Sequence, residues 1–404
     1  MRVMYLSAAA ELGGAERSLL DVLASLARAQ PSWSLRLVTA AGGPLVAEAS
    51  RLGVTTAVIP FGRSLARLGE FGAGSGGHGY FGLALMMAAA APQAAACLLG
   101  LRREIASFQP DVVHTNNLKM HLLGAWARPP RAAVVWHLHD YVAARPLTRR
   151  LLRASSARIA AVVANSDSVA EDARASLGSR VPVITVHNAV DLERFSGSGP
   201  KVDLDALARL PSTPADVVRV GLVGTFGRWK GHTTFLDAIA RLPPDLPVRA
   251  YVVGGAMYQT AGSQHSLDDL KRYAADRGLG NRVGFTGFVA HPEEAMRALD
   301  IVVHASTAPE PFGLVIAEAM ACGRAVIASD AGGAREVFTP GVDALVHAPG
   351  DAGALAARIM ELARDPQARL RIGRAGRQTA ERRFDRTRLA ADLVPVYLKA
   401  AADA

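Results

Sequence analysis

Two carboxylates bracket a glycine in the segment Glu310-Pro311-Phe312-Gly313-Leu314-Val315-Ile316-Ala317-Glu318. Ionised carboxylates accept hydrogen bonds and donate none, so a pair of them suits the hydroxyl groups of a sugar or a ribose. A helix starting near Phe312 would present the backbone N–H groups of Phe312, Gly313 and Leu314 without acceptors in their own turn, an arrangement that holds a phosphate. The structural alternative has Glu310 capping that helix and Glu318 in a surface pair.

Positive charge is concentrated at a second place. Gly224-Thr225-Phe226-Gly227-Arg228-Trp229-Lys230-Gly231 carries two cations in a glycine-bearing turn. A diphosphate leaving group needs positive charge where its own negative charge develops, and Lys230 and Arg228 can provide it. The spacing is not GxxxxGK[ST], so this is no P-loop. A third place is Gly13-Gly14-Ala15-Glu16, a glycine pair between an apolar run and a helical pattern. Such a turn admits an anion to backbone N–H groups, or serves turn geometry alone. It lacks GxGxxG, which disfavours a dinucleotide cofactor.

These segments need elements to hold them. Short Val/Ile/Leu runs predict strands at Val3–Ser7, Leu35–Thr39, Thr56–Pro60, Val112–Thr115, Ala133–His137, Ala160–Asn165 and Val183–His187. A second series follows at Val218–Val223, Val248–Val253, Val283–Thr286, Ile301–His304, Ala325–Ala328 and Ala344–His347. Runs apolar on both faces, alternating with helical patterns such as Glu16–Ala29, Thr233–Arg241 and Val315–Ala321, mean parallel sheets covered by helices. Between the series, Ser196–Asp216 has linker chemistry (Ser-Gly-Ser-Gly-Pro, then Pro-Ser-Thr-Pro) with one helical piece at Leu204–Leu210. The fold class is therefore α/β, two Rossmann-like parallel-sheet domains facing across a cleft lined by strand ends. The expected boundaries are 1–195 for the first domain, 196–216 for the linker, 217–384 for the second domain and 385–404 for a last helical segment.

With 404 residues, 50% of them hydrophobic and 20% charged, the chain has enough material for two folded cores. Two cysteines, Cys97 and Cys322, make no disulfide framework and fit a reducing, cytoplasmic setting. The net charge of +9 points to an anionic partner. The absence of a Cys/His zinc pattern and of an aromatic-basic strip disfavours nucleic acid. The first apolar run is followed at once by Glu11, Glu16 and Arg17, which reads as a buried strand rather than a signal peptide. The uncharged stretch Leu83–Leu101 is alanine-rich and interrupted by Pro92 and Gln93. It reads as a buried helix or helix pair, with peripheral contact at the inner face of a membrane as the functional alternative.

On these motifs the sequence resembles the retaining glycosyltransferases of family 4, also called glycosyl transferase group 1, which have the GT-B fold. The Glu310/Glu318 spacing with Phe-Gly-Leu between is the most specific element, and Lys230-Gly231 is next. His139-Asp140, Asn165-Ser166, His187-Asn188-Ala189-Val190-Asp191 and Gly332-Gly333 with Glu336 add to it. The resemblance implies transfer of a sugar from a nucleotide-diphosphate donor to a saccharide or lipid-linked acceptor such as a growing polysaccharide. It assigns Glu310 to the donor sugar and His139 to the reaction centre beside it. Phe312, Gly313 and Leu314 would present N–H groups to the diphosphate. Lys230 would neutralise it, with Gly13 and Gly14 facing it from the other domain. Glu318 would hold the ribose, and Gly287 and Phe288 would flank the base. No cofactor and no metal are implied.

Two departures stand out. Thr225 occupies the place of the family's usual arginine, which leaves Arg228 as the substitute, and Ala189 replaces a glycine. His114, His121, His137, His187 and His304 read as polar core residues. The competing functions are a sugar-nucleotide epimerase on the same fold and a non-catalytic sugar- or nucleotide-binding protein.

Overall fold

A computed structural model of the chain describes residues 1–67, 80–128, 131–256 and 262–404. It divides into two compact units, Met1–Ala189 with Arg386–Ala404, and Val190–Asp385. Each is a parallel sheet covered by helices.

The first unit holds strands β1 (Arg2–Ser7), β2 (Ser34–Thr39), β3 (Thr55–Val58), β4 (Val112–Thr115), β5 (Ala133–Leu138), β6 (Ala161–Ala164) and β7 (Val183–Thr185). Their order in the sheet is β3-β2-β1-β4-β5-β6-β7, all parallel. The order reverses between β1 and β4, which opens a crevice at their carboxyl ends. Side chains alternate across the sheet. Met4 and Leu6 join one apolar cluster, Val3 and Tyr5 the other. The last helix, Arg388–Ala402, belongs to this unit. It buries Leu389, Leu393 and Tyr397 beside the leucines of the helix Gly14–Ala29. Its start is fastened by Ser25, whose hydroxyl donates to the Thr387 carbonyl at 3.2 Å and accepts from the Ala390 N–H at 3.0 Å.

The apolar stretch Leu83–Leu101 lies in one helix, Tyr80–Phe108, that continues through Pro92. Residues 83–87 fall outside those whose side chains are described. From Ala90 onward Cys97, Leu101, Ile105 and Phe108 face the core. Among the described residues no helix is long and apolar enough to cross a membrane.

The second unit holds β8 (Val218–Val223), β9 (Val248–Val253), β10 (Val283–Gly287), β11 (Ile301–His304), β12 (Ala325–Ser329) and β13 (Leu345–His347). The order is β10-β9-β8-β11-β12-β13, again all parallel, with its reversal between β8 and β11. The segment 196–216, which reads as a linker, is packed onto this unit. The buried guanidinium of Arg297 donates to the carbonyls of Ser196 at 2.9 Å, Pro200 at 3.1 Å and Arg194. Buried Asp205 takes hydrogen bonds from Tyr251 Oη at 2.6 Å, Thr213 N at 2.7 Å and Arg249 Nη1 at 2.9 Å. Burial alone would raise its pKa, but these donors hold the carboxyl well below the usual range. The composition of the segment is flexible, and long-range donors order it.

Candidate functional site

In the second unit the loops after β8 and β11, on either side of the strand reversal, hold Lys230 and Glu310. After β8 the chain makes a tight turn at Arg228–Lys230, then passes Gly231 into the helix His232–Ala240. Gly231 has φ +72°, and a Cβ there would lie 1.9 Å from the Ala305 carbonyl oxygen. Only glycine lets this turn press against the end of β11. The Thr307 N–H donates to the Trp229 carbonyl at 2.7 Å, which closes the same contact.

That contact brings Lys230 Nζ to 2.5 Å from Glu310 Oε1. The Ser306 hydroxyl donates to the same oxygen, and His304 Nε2 lies 3.4 Å from it. His304 accepts the Ser329 N–H on Nδ1 at 3.3 Å, which leaves Nε2 to carry a hydrogen toward Glu310. The backbone of Glu310 is held as well, its carbonyl accepting from Gly333 N at 2.8 Å. Glu310 is only 6% exposed, and burial opposes its ionisation. Lys230 and His304 outweigh burial and hold the carboxyl well below the usual range. It is a fixed anion with a cation attached.

The glycine of the Phe-Gly-Leu triplet starts a helix. Gly313, at φ +83°, is the N-cap of Leu314–Ala321. The helix begins at Leu314, slightly later than the pattern suggests. Phe312 contributes its side chain to the core, edge-on to Phe384 at 5.7 Å, so only its backbone is available to a ligand. Glu318 lies in the second turn and is buried. Gly287, at φ +73°, ends β10, its carbonyl accepting from Gly254 N at 3.0 Å. Phe288 follows it with 67% of its surface exposed.

Arg228 is placed differently from Lys230. It is exposed, and its Nε donates to the Gly262 carbonyl at 2.9 Å. The structure ties it to the 262–263 loop and not to the Lys230–Glu310 pair. Thr225 Oγ1 is buried without a hydrogen-bond partner among the described residues. A buried hydroxyl left so marks a place that a ligand or water completes.

The first unit repeats the geometry at its own strand reversal. Gly13 is the N-cap of Gly14–Ala29. That helix start already holds a carboxyl group. The Glu16 carboxylate folds back so that Oε2 lies 2.7 Å from where a Gly13 Cβ would be. Burial pushes its pKa up, and hydrogen bonds from the backbone of Glu16 and Gly13 oppose this. After β4, Asn116 donates from Nδ2 to the Ala15 carbonyl at 3.0 Å, and its Oδ1 lies 2.9 Å from His139 Nε2. A carbonyl accepts only, so the Asn116 amide must face Ala15 with its NH2 and His139 with its oxygen. His139 therefore carries its hydrogen on Nε2. Its Nδ1 has no partner among the described residues. Burial pushes the His139 pKa down to about 4, so the ring is neutral and Nδ1 is an acceptor.

Sequence reasoning singled out Lys230 and Glu310, and the structure joins them. It missed Asn116 and Ser306 and weighed His304 as a core residue. Each sits at or just past the end of β4 or β11, and that position was the available signal.

Residues 212–379 match the family Glycosyl transferases group 1, and residues 12–194 match Glycosyltransferase Family 4. The lipopolysaccharide core biosynthesis glycosyltransferase LpsE of Rhizobium meliloti is 30% identical over 56% of this chain and 60% of its own length, less than two-thirds of that relative. The lipopolysaccharide core biosynthesis mannosyltransferase LpcC of Rhizobium leguminosarum is 32% identical over 74% of this chain and 89% of its own. Among solved structures, Anabaena HepE in complex with UDP and glucose superposes with a TM-score of 0.77 at 26% identity, covering 98% of this chain and 99% of that one. Two Rossmann-like sheets and a lysine–glutamate pair at a strand reversal accompany these matches, and the chain belongs to the group 1 glycosyltransferases of the GT-B fold.

Proposed function

We propose that the protein transfers a sugar from a nucleoside-diphosphate donor to a saccharide or lipid-linked acceptor, with retention at the anomeric carbon. The observation that carries this reading is the Lys230–Glu310 contact of 2.5 Å at the β8/β11 reversal. The HepE complex with UDP and glucose supports a uridine donor, and the names of LpsE and LpcC support a saccharide acceptor.

An ammonium has three donors. With one on Glu310, Lys230 keeps two for the phosphate oxygens. Glu310 stays ionised and accepts from hydroxyls of the donor sugar, while the N–H groups at Gly313 and Leu314 face the diphosphate. Glu318 takes the ribose hydroxyls, and Gly287 and Phe288 flank the base. As the bond from the anomeric carbon to the diphosphate oxygen lengthens, the electron pair leaves with oxygen and positive charge grows on carbon. Lys230 and the helix start stabilise the departing charge. The acceptor oxygen attacks on the leaving-group side, and its proton passes to a phosphate oxygen. Neutral His139 offers Nδ1 to a hydroxyl at the reaction centre. No resident metal enters this scheme.

Calorimetric titration with UDP, GDP and ADP tests the donor site, and one diphosphate binding above the others is expected. Nucleoside diphosphate should then be released from its sugar conjugate only when acceptor is added, and equally so with a chelator present. Release or sugar isomerisation without acceptor would instead favour an epimerase. Binding of none of the three would overturn the donor assignment.

A further inference from the structure

Between Asp140 and Asp167 the chain has five arginines and no carboxylate. Most of this stretch is the helix Pro146–Ser155. Leu152 and Ser155 are buried, with the helices Leu118–Ala127 and Asp167–Leu177 packed against this one. Beside that buried face, apolar side chains stay in the open. Leu147 is 41% exposed, and Leu151, one turn on, is 38% exposed. Trp126, at the end of Leu118–Ala127, joins them at 48%. Its indole Nε1 donates to Ser155 Oγ at 3.2 Å, and the Arg158 guanidinium lies 3.9 Å over its ring. Arg102, from the neighbouring helix Tyr80–Phe108, donates to the Trp126 carbonyl at 3.1 Å. Arg149, Arg150 and Arg153 form no ion pair among the described residues.

An exposed apolar edge needs an apolar partner, and unpaired cations around it need an anionic one. Leucines and arginines on a short helix, with a tryptophan from the neighbouring helix, match the layered chemistry of an anionic bilayer interface, with headgroup phosphates above acyl chains. Tryptophan suits that boundary because its ring is amphipathic. We propose that Leu147, Leu151 and Trp126 insert into the surface of an anionic phospholipid membrane while Arg150, Arg153 and Arg158 hold the headgroups. This places the membrane contact on the helix Pro146–Ser155 and not on the stretch Leu83–Leu101. The inference does not rest on the identity of the donor or the acceptor.

Co-sedimentation of the full chain with phosphatidylcholine vesicles, with and without phosphatidylglycerol, tests it directly. Binding is expected only with phosphatidylglycerol and should weaken as salt is raised. Arg150→Gln with Arg153→Gln should lower partitioning roughly thirty-fold at low salt. Leu147→Ser with Leu151→Ser should lower it about ten-fold without changing the charge. Both variants change exposed side chains, and unchanged thermal melting confirms that they fold. Equal binding to both vesicle types, or binding that survives both double substitutions, would overturn the proposal. So would light scattering that shows a dimer in free solution which Leu151→Ser dissociates, since the face would then belong to a second copy.

Discussion

Lys230 and Glu310 are separated by 80 positions in the chain and by 2.5 Å between side-chain atoms. The pair exists because Gly231 lets the turn after β8 lie against the end of β11. Truncating either partner leaves the other's charge partly buried. Lys230→Ala and Glu310→Ala should each lower turnover by roughly 10²- to 10³-fold. The cost in stability should be modest, about 1–3 kcal/mol, because the lysine is partly exposed and solvent screens it. The double variant should lose less stability than the sum of the singles, as coupled groups do. Strict additivity in chemical denaturation would show that the two charges do not sense each other.

Gly231→Ala is expected to be more harmful to the fold than either charge deletion. The new Cβ would meet the Ala305 carbonyl in a left-handed backbone conformation. A cost on the order of 3–5 kcal/mol is expected, with donor binding lost as Lys230 is displaced. Wild-type melting in this variant would mean that the turn does not press on β11.

Asn116 sets the tautomer of His139. In nitrogen-15 spectra near neutral pH, His139 should show a protonated Nε2 and a bare Nδ1. Asn116→Ala should blur that preference and lower turnover roughly ten- to hundred-fold through misorientation of the ring. Asn116→Asp should keep the tautomer and raise the pKa of His139, moving the acid limb of the rate profile upward. A wild-type pH profile in Asn116→Asp would break the link.

Acid should weaken the protein in a defined range. Burial pushes His114 down to about 3, His139 to about 4 and His232 to about 3, against an ordinary 6.5. Between 6.5 and those values the unfolded chain binds protons that the folded chain refuses. Stability is therefore complete above pH 6.5 and falls as pH drops, by about 1.4 kcal/mol per unit for each such histidine. Glu310 acts in the same direction lower down. Its depressed pKa adds stability above 4.5 that is lost as pH falls through the folded value. Denaturant midpoints measured from pH 7.5 to 4.5 should fall steadily, and a flat series would contradict neutral burial of these rings.

Much of this protein was already determined by local pattern. Short runs such as Val112–Thr115 and Ile301–His304 are rich in β-branched residues, which suits a strand covered on both faces, and the structure has them with the same bounds. Lys230 and Glu310 stood out because their types, beside glycines and past strand ends, suit a diphosphate and a sugar.

What the tertiary structure decided were relationships across long separations. Composition made 196–216 look like a linker, and Arg297, about a hundred residues later, orders it by taking its carbonyls. Arg228 and Lys230 sit in one turn, yet only Lys230 reaches Glu310, because the Gly262 carbonyl holds Arg228. The Gly13-Gly14 turn looked open to an anion, and Glu16 already lies over it. Asn116 gained a role only when β1, β4 and β5 came side by side and set it between Ala15 and His139. Local sequence fixes backbone preference and the type of each side chain. Hydrogen-bond partners depend on which strand ends become neighbours, and sheet order settles that.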